Sequence, residues 1–451
     1  MLTAAPVPPI PAHQLLVFLL QVGLLLLLAI LLGRAATRIG LPAIVGELSA
    51  GVLLGPSLFG WLAPRATGWL LPSRPDQMHL LDAVGQLGVL LLVGLTGIEM
   101  DLRMLRRRRA TAVRISLAGL IIPFLAGVGL GYPLTRLLHT GTADGAVFAL
   151  FMGVAMCVSA IPVIAKTLID MNLIHRNIGQ LTLAAGSIDD AIGWFLLSVV
   201  SAMAVGGLTA HKVVVSIGAL LLVVLAAVVV GRPLVRQALR LSGGSATHTV
   251  AAAVAMILLA AAGTQALGLE AVFGAFVCGA LIGSSGEFER SRTASLRTVV
   301  VAFLAPVFFA TAGLRIDLRA LAEPAVLAAA LIVLTVAILG KFAGAYLGAR
   351  LSRLSRWEAL ALGAGMNARG VIEVIVATVG LRVGVLDTDT YTIVVLVAVV
   401  TSVMAPPLLR LAMKRVECTA EEELRLAAGL EAGARHDEEP QPRAGEASSR
   451  Y

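Results

Sequence analysis

The sequence predicts an all-α polytopic membrane protein of about thirteen transmembrane helices. Composition is the first sign: 58% of the residues are hydrophobic and only 14% are charged, and the mean hydropathy of +0.92 is beyond what a soluble domain uses. The second is periodicity, since apolar stretches centred near residues 24, 50, 90, 123, 157, 191, 222, 256, 277, 305, 338, 370 and 401 alternate with short polar connections. The third is the placing of basic residues. If connections alternate between faces, Arg34, Arg38, Arg103, Arg106–Arg109, Lys166, Arg176, Arg232, Arg236, Arg240, Arg290, Arg292, Arg297, Arg350, Arg353, Arg356, Arg410, Lys414 and Arg415 share one of them. The other keeps Arg65, Arg74, Arg136, Lys212, Arg315, Arg319 and Arg382. A bias of roughly three to one puts the amino terminus outside and the carboxyl terminus in the cytoplasm of a cell membrane.

The net charge of +8 is therefore topological. The Arg106–Arg109 run directly follows a span and has no interleaved aromatics, so no nucleic-acid partner is expected. Cys157, Cys278 and Cys418 have no spacing for a disulfide framework or metal site.

Taken in order, the run Leu15–Leu32 lacks a basic segment before it and is followed by Arg34 and Arg38, which makes it a first span rather than a signal peptide. The second span carries Gly46, Gly51 and Gly55 at near-helical spacing, a surface another backbone can approach, and Pro56 ends it. Glu47 lies within it. The third span runs Gly94-Leu95-Thr96-Gly97 and on through Asp101, Leu102, Arg103 and Leu105. The tenth repeats that order at Gly313, Asp317, Leu318, Arg319 and Leu321, and Gly274, Gly279 and Gly283 of the ninth repeat the glycines of the second. The copies lie roughly 210 to 230 residues apart and seven spans apart, so they cross the membrane in opposite senses. Inverted repeats of this kind belong to secondary transporters, whose site lies at the midplane between the copies.

In the fifth span, Cys157-Val158-Ser159-Ala160-Ile161-Pro162 predicts a broken helix, because Pro162 removes a donor and pushes Ile161 out of helical geometry. The same offset leads to Asn367-Ala368-Arg369-Gly370 and Glu373 in the twelfth span, again interrupted at its centre. Paired discontinuous helices are the strongest pointer to a transporter's binding site. Between them, the sixth span holds Asp189 and Asp190 near its middle. Each carboxylate there costs ~2.5–3.5 kcal/mol on the insertion scale. Helix neighbours point ~100° apart, so one acid can face a fixed partner and the other a cavity. In the eleventh span Lys341 is too deep to snorkel and needs a carboxylate, Asp189 or Asp190. Arg369, which cannot lose its charge, is expected to be structural, with Glu373 or Glu47 as partner. A small cation wants hard oxygens, which Asp190, Ser159 and carbonyls freed beside Pro162 would offer. Residues 1–415 thus form one transmembrane domain. Residues 416–451, with Glu421–Glu423 and Asp437–Glu439, read as an acidic cytoplasmic tail without a fold of its own, apart from one amphipathic helix at Glu421–Leu430.

Leu41–Pro56, Gly94–Leu105, Ser159–Val163, Ile188–Gly193, Pro306–Leu318, Gly340–Gly344 and Asn367–Glu373 together resemble the monovalent cation:proton antiporter superfamily, the sodium/proton exchangers and their Kef-like bacterial relatives. No glycine-rich dinucleotide fingerprint follows Arg415, so the resemblance is to members without the cytoplasmic nucleotide-sensing domain. It implies a thirteen-span homodimer with two crossing discontinuous helices, and a dimerisation domain interleaved with a core domain that moves like an elevator. It also implies that Asp190 carries the cation and proton and that Asp189 partners Lys341. Two acids imply electrogenic exchange of protons for a monovalent cation, with Na⁺ favoured over K⁺ or Li⁺ by a compact, high-field site. One departure is that no acid stands at the break Cys157–Pro162, so the half-helix dipoles must be balanced differently. No cofactor is expected. An enzyme is disfavoured because His13, His79, His139, His175, His211, His248 and His436 fall at span ends, in loops or in the tail. A cation channel or a non-transporting sensor on the same scaffold, or a K⁺/H⁺ efflux antiporter, is the competing reading.

Overall fold

The computed structural model describes residues 10–71, 75–100, 109–138, 144–206, 210–242, 245–285 and 293–424. Several sequence features lie outside them: Arg74, Asp101–Leu105 of the repeated motif, Arg106–Arg108, His139, Arg290, Arg292, and the tail beyond Leu424. The described secondary structure is all helical. In chain order the helices are α1 (Ala12–Arg38), α2 (Ala43–Leu54), α3 (Pro75–Glu99), α4 (Arg109–Leu137), α5a (Gly145–Cys157), α5b (Ile161–Asp170) and α6 (Asn177–Gly206). Next come α7 (Ala210–Ala226, continued by a π turn into Arg232–Leu241), α8 (Ala246–Ala266), α9 (Ala271–Ser284) and α10 (Ala294–Gly313). The chain closes with α11 (Pro324–Leu351), α12a (Arg356–Met366), α12b (Val371–Arg382) and α13 (Thr388–Met413). Among the described residues, 11 helices are long and apolar enough to cross a membrane, and α12a with α12b, bent by 44° at their break, makes a twelfth. Helix α9, with 14 residues, rises only ~21 Å and needs neighbours to complete its crossing.

Helix formation here follows from burial and caps rather than from amphipathicity towards water. Helix α1 buries Val17, Gln21, Leu25, Ala29, Gly33 and Ala36, one stripe at spacings of three and four, and turns Leu16, Leu19, Leu27 and Leu31 outward. Capping boxes start two of the core helices, Ser355 with Glu358 on α12a and Asp387 with Thr390 on α13. Asp144 accepts from the Ala146 amide at the start of α5a.

The helices gather in two bundles, α1, α2, α3, α8, α9 and α10 in the first and α4, α5, α6, α11, α12 and α13 in the second, with α7 between them in sequence. Within the first bundle the internal repeat is visible as interlocked packing. Gly46 of α2 lies on the backbone of α1 at Leu32, and Gly274 of α9 lies on α8 at Ala260. Gly51 then packs on Ala310 of α10, and Gly279 on Gly94 of α3, so each copy's short helix crosses a helix of the other copy. These glycines are therefore packing residues. A methyl added at Gly51 would collide with the Ala310 carbonyl oxygen, and rigid backbone on both sides leaves no relief. Gly51→Ala is expected to lose about 1–3 kcal/mol, read as a lower melting temperature in detergent. Gly129→Ala, whose added methyl has nothing within 4 Å, should melt as the wild type does.

The chain does not leave the second bundle at Arg415. Arg176 Nη2 donates to the carbonyls of Val416 and Glu417, both at 3.0 Å. The buried Glu422 accepts from the Asn177 amide that starts α6, at 2.5 Å, and pairs with Arg176 at 3.3 Å. Burial works to raise the Glu422 carboxyl, but the Thr419 and Asn177 amides and Arg176 outweigh it and hold it below the usual carboxylate range. A helical turn runs to Leu424; the remainder of the expected helix at Glu421–Leu430 lies outside the described residues.

Candidate ion-binding site

The second bundle is organised by two interrupted helices that meet end to end. Helix α5a stops at Cys157, Val158 and Ala160 are extended, and Pro162 sits in the first turn of α5b, where its missing N–H costs nothing. Helix α12a stops at Met366, and Gly370, at φ 157° and ψ −105°, takes a conformation that L side chains rarely adopt before α12b begins. The two breaks cross: the Ala160 amide donates to the Ala368 carbonyl at 3.2 Å.

Interrupted helices leave carbonyls at the C-terminal ends of their first halves without partners, and in an apolar interior each must find one. Two cations meet this need at the end of α5a. Arg369 donates to the carbonyls of Ala155 (3.2 Å) and Met156 (2.6 Å), and Lys341 donates to that of Cys157 (2.5 Å). Their positive charge also faces the negative end of the half-helix dipole. From α12a, the Met366 carbonyl accepts from Ser159 at 3.0 Å, and Ser402 donates to the Arg369 carbonyl.

Asp189 and Asp190 are both completely buried, yet their surroundings are opposite. Asp189 is saturated by donors: Ser116 at 2.5 Å on Oδ1, with Ser159 at 3.0 Å and Lys341 at 2.6 Å on Oδ2. A hydroxyl has one proton, so Ser159 serves either Asp189 or the Met366 carbonyl at a given moment. Neither oxygen of Asp190 has a side-chain hydrogen-bond partner among the described residues. The polar group facing it is the Ile161 backbone amide, the positive N-terminal end of α5b. Asp190 thus balances the half-helix dipole that the absent acid at the Cys157–Pro162 break would otherwise face. Asn367, fully buried at the end of α12a, likewise has neither its side-chain oxygen nor its nitrogen paired.

Of the sequence-predicted residues, Cys157, Ser159, Ile161, Pro162, Asp189, Asp190, Lys341, Asn367, Arg369, Gly370 and Glu373 all lie at or beside this crossing. Ser159 touches Asp189 rather than Asp190. Arg369 pairs with Glu373 at 3.1 Å and not with Glu47, which belongs to the first bundle. Its fork also reaches the Ala337 carbonyl of α11 at 2.9 Å. Lysine cannot span these carbonyls and the carboxylate together. Arg369→Lys should therefore lose about 2–4 kcal/mol, because buried acceptors are left unpaired. A Lys variant that melts and functions as the wild type does would contradict this reading of the fork. Sequence reasoning missed Ser116, a lone serine in α4 with no periodicity or neighbour to mark it.

A route towards the site opens on one face. A cavity of about 540 Å³ opens between the bundles on the face of Arg410 and Lys166, and reaches Pro162 and Val163 beside Ile161. On the opposite face the bundles are closed on each other. Glu270 of the first bundle binds both Arg382 and Ser201 of the second. Tyr391 donates to the Ala312 carbonyl at 2.8 Å, and the Asp317 amide donates to Thr392 at 3.1 Å.

A family model for the transmembrane sodium/hydrogen exchanger matches residues 23–415. The Na(+)/H(+) antiporter NhaS4 of Synechocystis sp. is 32% identical over 405 residues, covering 88% of this chain and 97% of that protein. The Na(+)/H(+)-K(+) antiporter GerN of Bacillus cereus is 28% identical over 87% of this chain and 95% of its own length. Cation/H(+) antiporter 17 of Arabidopsis thaliana is 30% identical over 88% of this chain, which spans 48% of that longer protein. In fold, the chain is similar to the sodium proton antiporter MjNhaP1 of Methanocaldococcus jannaschii, with a TM-score of 0.65 at 18% identity over 89% of this chain and 99% of that one.

Proposed function

The chain belongs to the sodium/hydrogen exchanger family and exchanges cations for protons across a membrane, and we propose that the exchange runs through Asp190. The observation that carries this is the contrast between adjacent carboxylates: Asp189 receives hydrogen bonds from three side chains and Asp190 from no side chain among the described residues. A buried carboxylate without a partner is costly unless a proton or a cation neutralises it. Asp190 therefore holds one or the other. Asn367 supplies an unpaired oxygen at the same crossing, and carbonyls and water complete a hard oxygen shell. Lys341 and Asp189 form the fixed pair that keeps the crossing together, and Ser116 and Ser159 position Asp189.

Competition for Asp190, with movement of the second bundle against the first, is sufficient for exchange. The open cavity lies on the face with most of the basic residues, which is the cytoplasmic face by the distribution of Lys and Arg. The carboxyl terminus then lies in the cytoplasm and the amino terminus outside a cell membrane, with a homodimer as the working unit. Sodium is the favoured cation because an unshared carboxylate beside a helix N-terminus is a compact, high-field site. The names of the relatives above include both Na⁺ and K⁺, and K⁺ is the alternative. A second proton carried by the Asp189–Lys341 pair makes the cycle electrogenic. The test is reconstitution into liposomes with an internal pH dye, adding Li⁺, Na⁺, K⁺ and an organic cation in turn at clamped potentials. A net charge per cycle makes the rate respond by ~2.3 kcal/mol per 100 mV. A rate indifferent to potential contradicts the two-proton cycle, and conduction of cations without a pH change contradicts exchange.

A further inference from the structure

The cavity that leads towards Asp190 contains a carboxylate that the site does not use. Glu47 projects from α2 into the space shared with Thr37, Pro162, Lys166, Thr167 and Arg410. No described residue gives it a hydrogen bond or an ion pair. Glu47 is the one carboxylate among the described residues lining this cavity, the other charged groups there being Lys166 and Arg410. A volume of about 540 Å³ is ample for a cation with part of its water shell, since a water occupies ~30 Å³. Helix packing alone does not require an acid here: the neighbouring Gly46 makes the close contact with α1, while the Glu47 side chain, including one carboxylate oxygen, lies over Gly33 at the edge of the cavity.

We infer that Glu47 is a loading site for monovalent cations entering from the cytoplasm, upstream of Asp190. The inference rests on the reading of Asp190 as the carrier and of the basic face as cytoplasmic. Its location gives it a sidedness that Asp190 lacks. Glu47 belongs to the first bundle and Asp190 to the second, so relative movement of the bundles separates them, and a cation arriving from outside meets Asp190 without passing Glu47. Glu47 offsets the positive potential of Lys166 and Arg410 in the mouth and raises the local cation concentration.

The test uses the full chain in everted and right-side-out vesicles from a host without its own exchange activity, with NaCl as the probe and a pH dye as readout. Loss of one charge in a partly wet cavity is worth about tenfold in affinity. In Glu47→Gln the half-saturating Na⁺ concentration is expected to rise about tenfold on the cytoplasmic face, in everted vesicles, with little change on the outer face. Glu47→Asp keeps the charge but draws it back by one methylene, and should show a smaller rise confined to the same face. It is read in the same way if the Gln variant does not reach the membrane. A rise that is equal on both faces, a rise on the outer face alone, or no rise in either variant overturns the inference. Failure of the wild type to exchange Na⁺, or activity in Asp190→Asn vesicles, would instead remove the reading on which it rests.

Discussion

Asp190→Asn is expected to reduce cation/proton exchange to background while leaving the protein as stable as the wild type or more so. The two halves of this expectation come from one observation. Asp190 accepts no side-chain hydrogen bond and pairs with no cation among the described residues, and the Ile161 amide that faces it can be met equally by the oxygen of an asparagine. Asp190 must hold a proton or a cation to stay buried there without a large cost, whereas an amide of the same shape is neutral without either. Function is a different matter. An amide neither takes up a proton at physiological pH nor neutralises a cation, so both legs of the cycle are lost at once. The measurements are dye-monitored exchange in liposomes and thermal unfolding in detergent on the same preparations. A folded, active Asp190→Asn would remove Asp190 from the mechanism. An inactive variant that no longer folds would mean that the residue has structural partners the geometry does not contain.

Lys341→Gln alone should lower the melting temperature far more than Lys341→Gln combined with Asp189→Asn. Lys341 Nζ and Asp189 Oδ2 stand 2.6 Å apart, both completely buried. Removing one member of such a pair strands a charge and costs about 3–5 kcal/mol, whereas exchanging both for neutral groups is often close to neutral. The Lys341 bond to the Cys157 carbonyl adds a second loss that the glutamine can partly restore. In the double variant one of Ser116 and Ser159, which meet different oxygens of Asp189, can still donate to the asparagine's amide oxygen, and the other can accept from its amide nitrogen. Asp189→Asn alone should lie between, because the stranded ammonium keeps one acceptor. Equal losses in the single Lys341 variant and the double variant would show that the two residues are not energetic partners. The double variant also tests electrogenicity, since a cycle that has lost the second proton group should no longer respond to the imposed potential.

Much of this architecture was legible because a membrane imposes a period and a cost that show directly in sequence. Runs without charge mark spans, so the thirteen expected centres fall on helices or, near 157 and 370, at the breaks between their halves. Among the described residues, however, 11 helices and one bent pair are long enough to cross, and the ninth is short. Asp189, Asp190 and Lys341 stand out where charge is expensive. The broken helices were legible through Pro162 and Gly370, residues that either remove a donor or take a backbone conformation others avoid. The internal repeat was legible through glycines, and its meaning as interlocked packing of Gly51 on α10 and Gly279 on α3 needed the fold. What sequence could not supply was pairing across spans. Ser116 has no local signature, and whether Arg369 meets Glu373 or Glu47 depends on which bundle each helix joins. The likeness of Asp189 and Asp190 in sequence conceals their difference in space, which comes from a hydroxyl on α4 and an ammonium on α11. The contacts at Glu270, Arg382 and Tyr391 that close one face were equally hidden, as they bring together side chains far apart in the chain.

The central claim is that one carboxylate binds cation and proton in competition. The most direct test is the affinity of the purified protein for Na⁺ as a function of pH, measured by calorimetry without any transport step. Competition at Asp190 requires that, below the pH at which that carboxylate takes up its proton, the apparent Kd rise at least about tenfold for each unit by which pH falls, and more steeply where the Asp189–Lys341 pair titrates with it. The number of sites per chain stays constant, and each cation bound releases at least one proton. In Asp190→Asn both the binding and the proton release should vanish. A Kd that does not change with pH, or cation binding without proton release, would contradict the account.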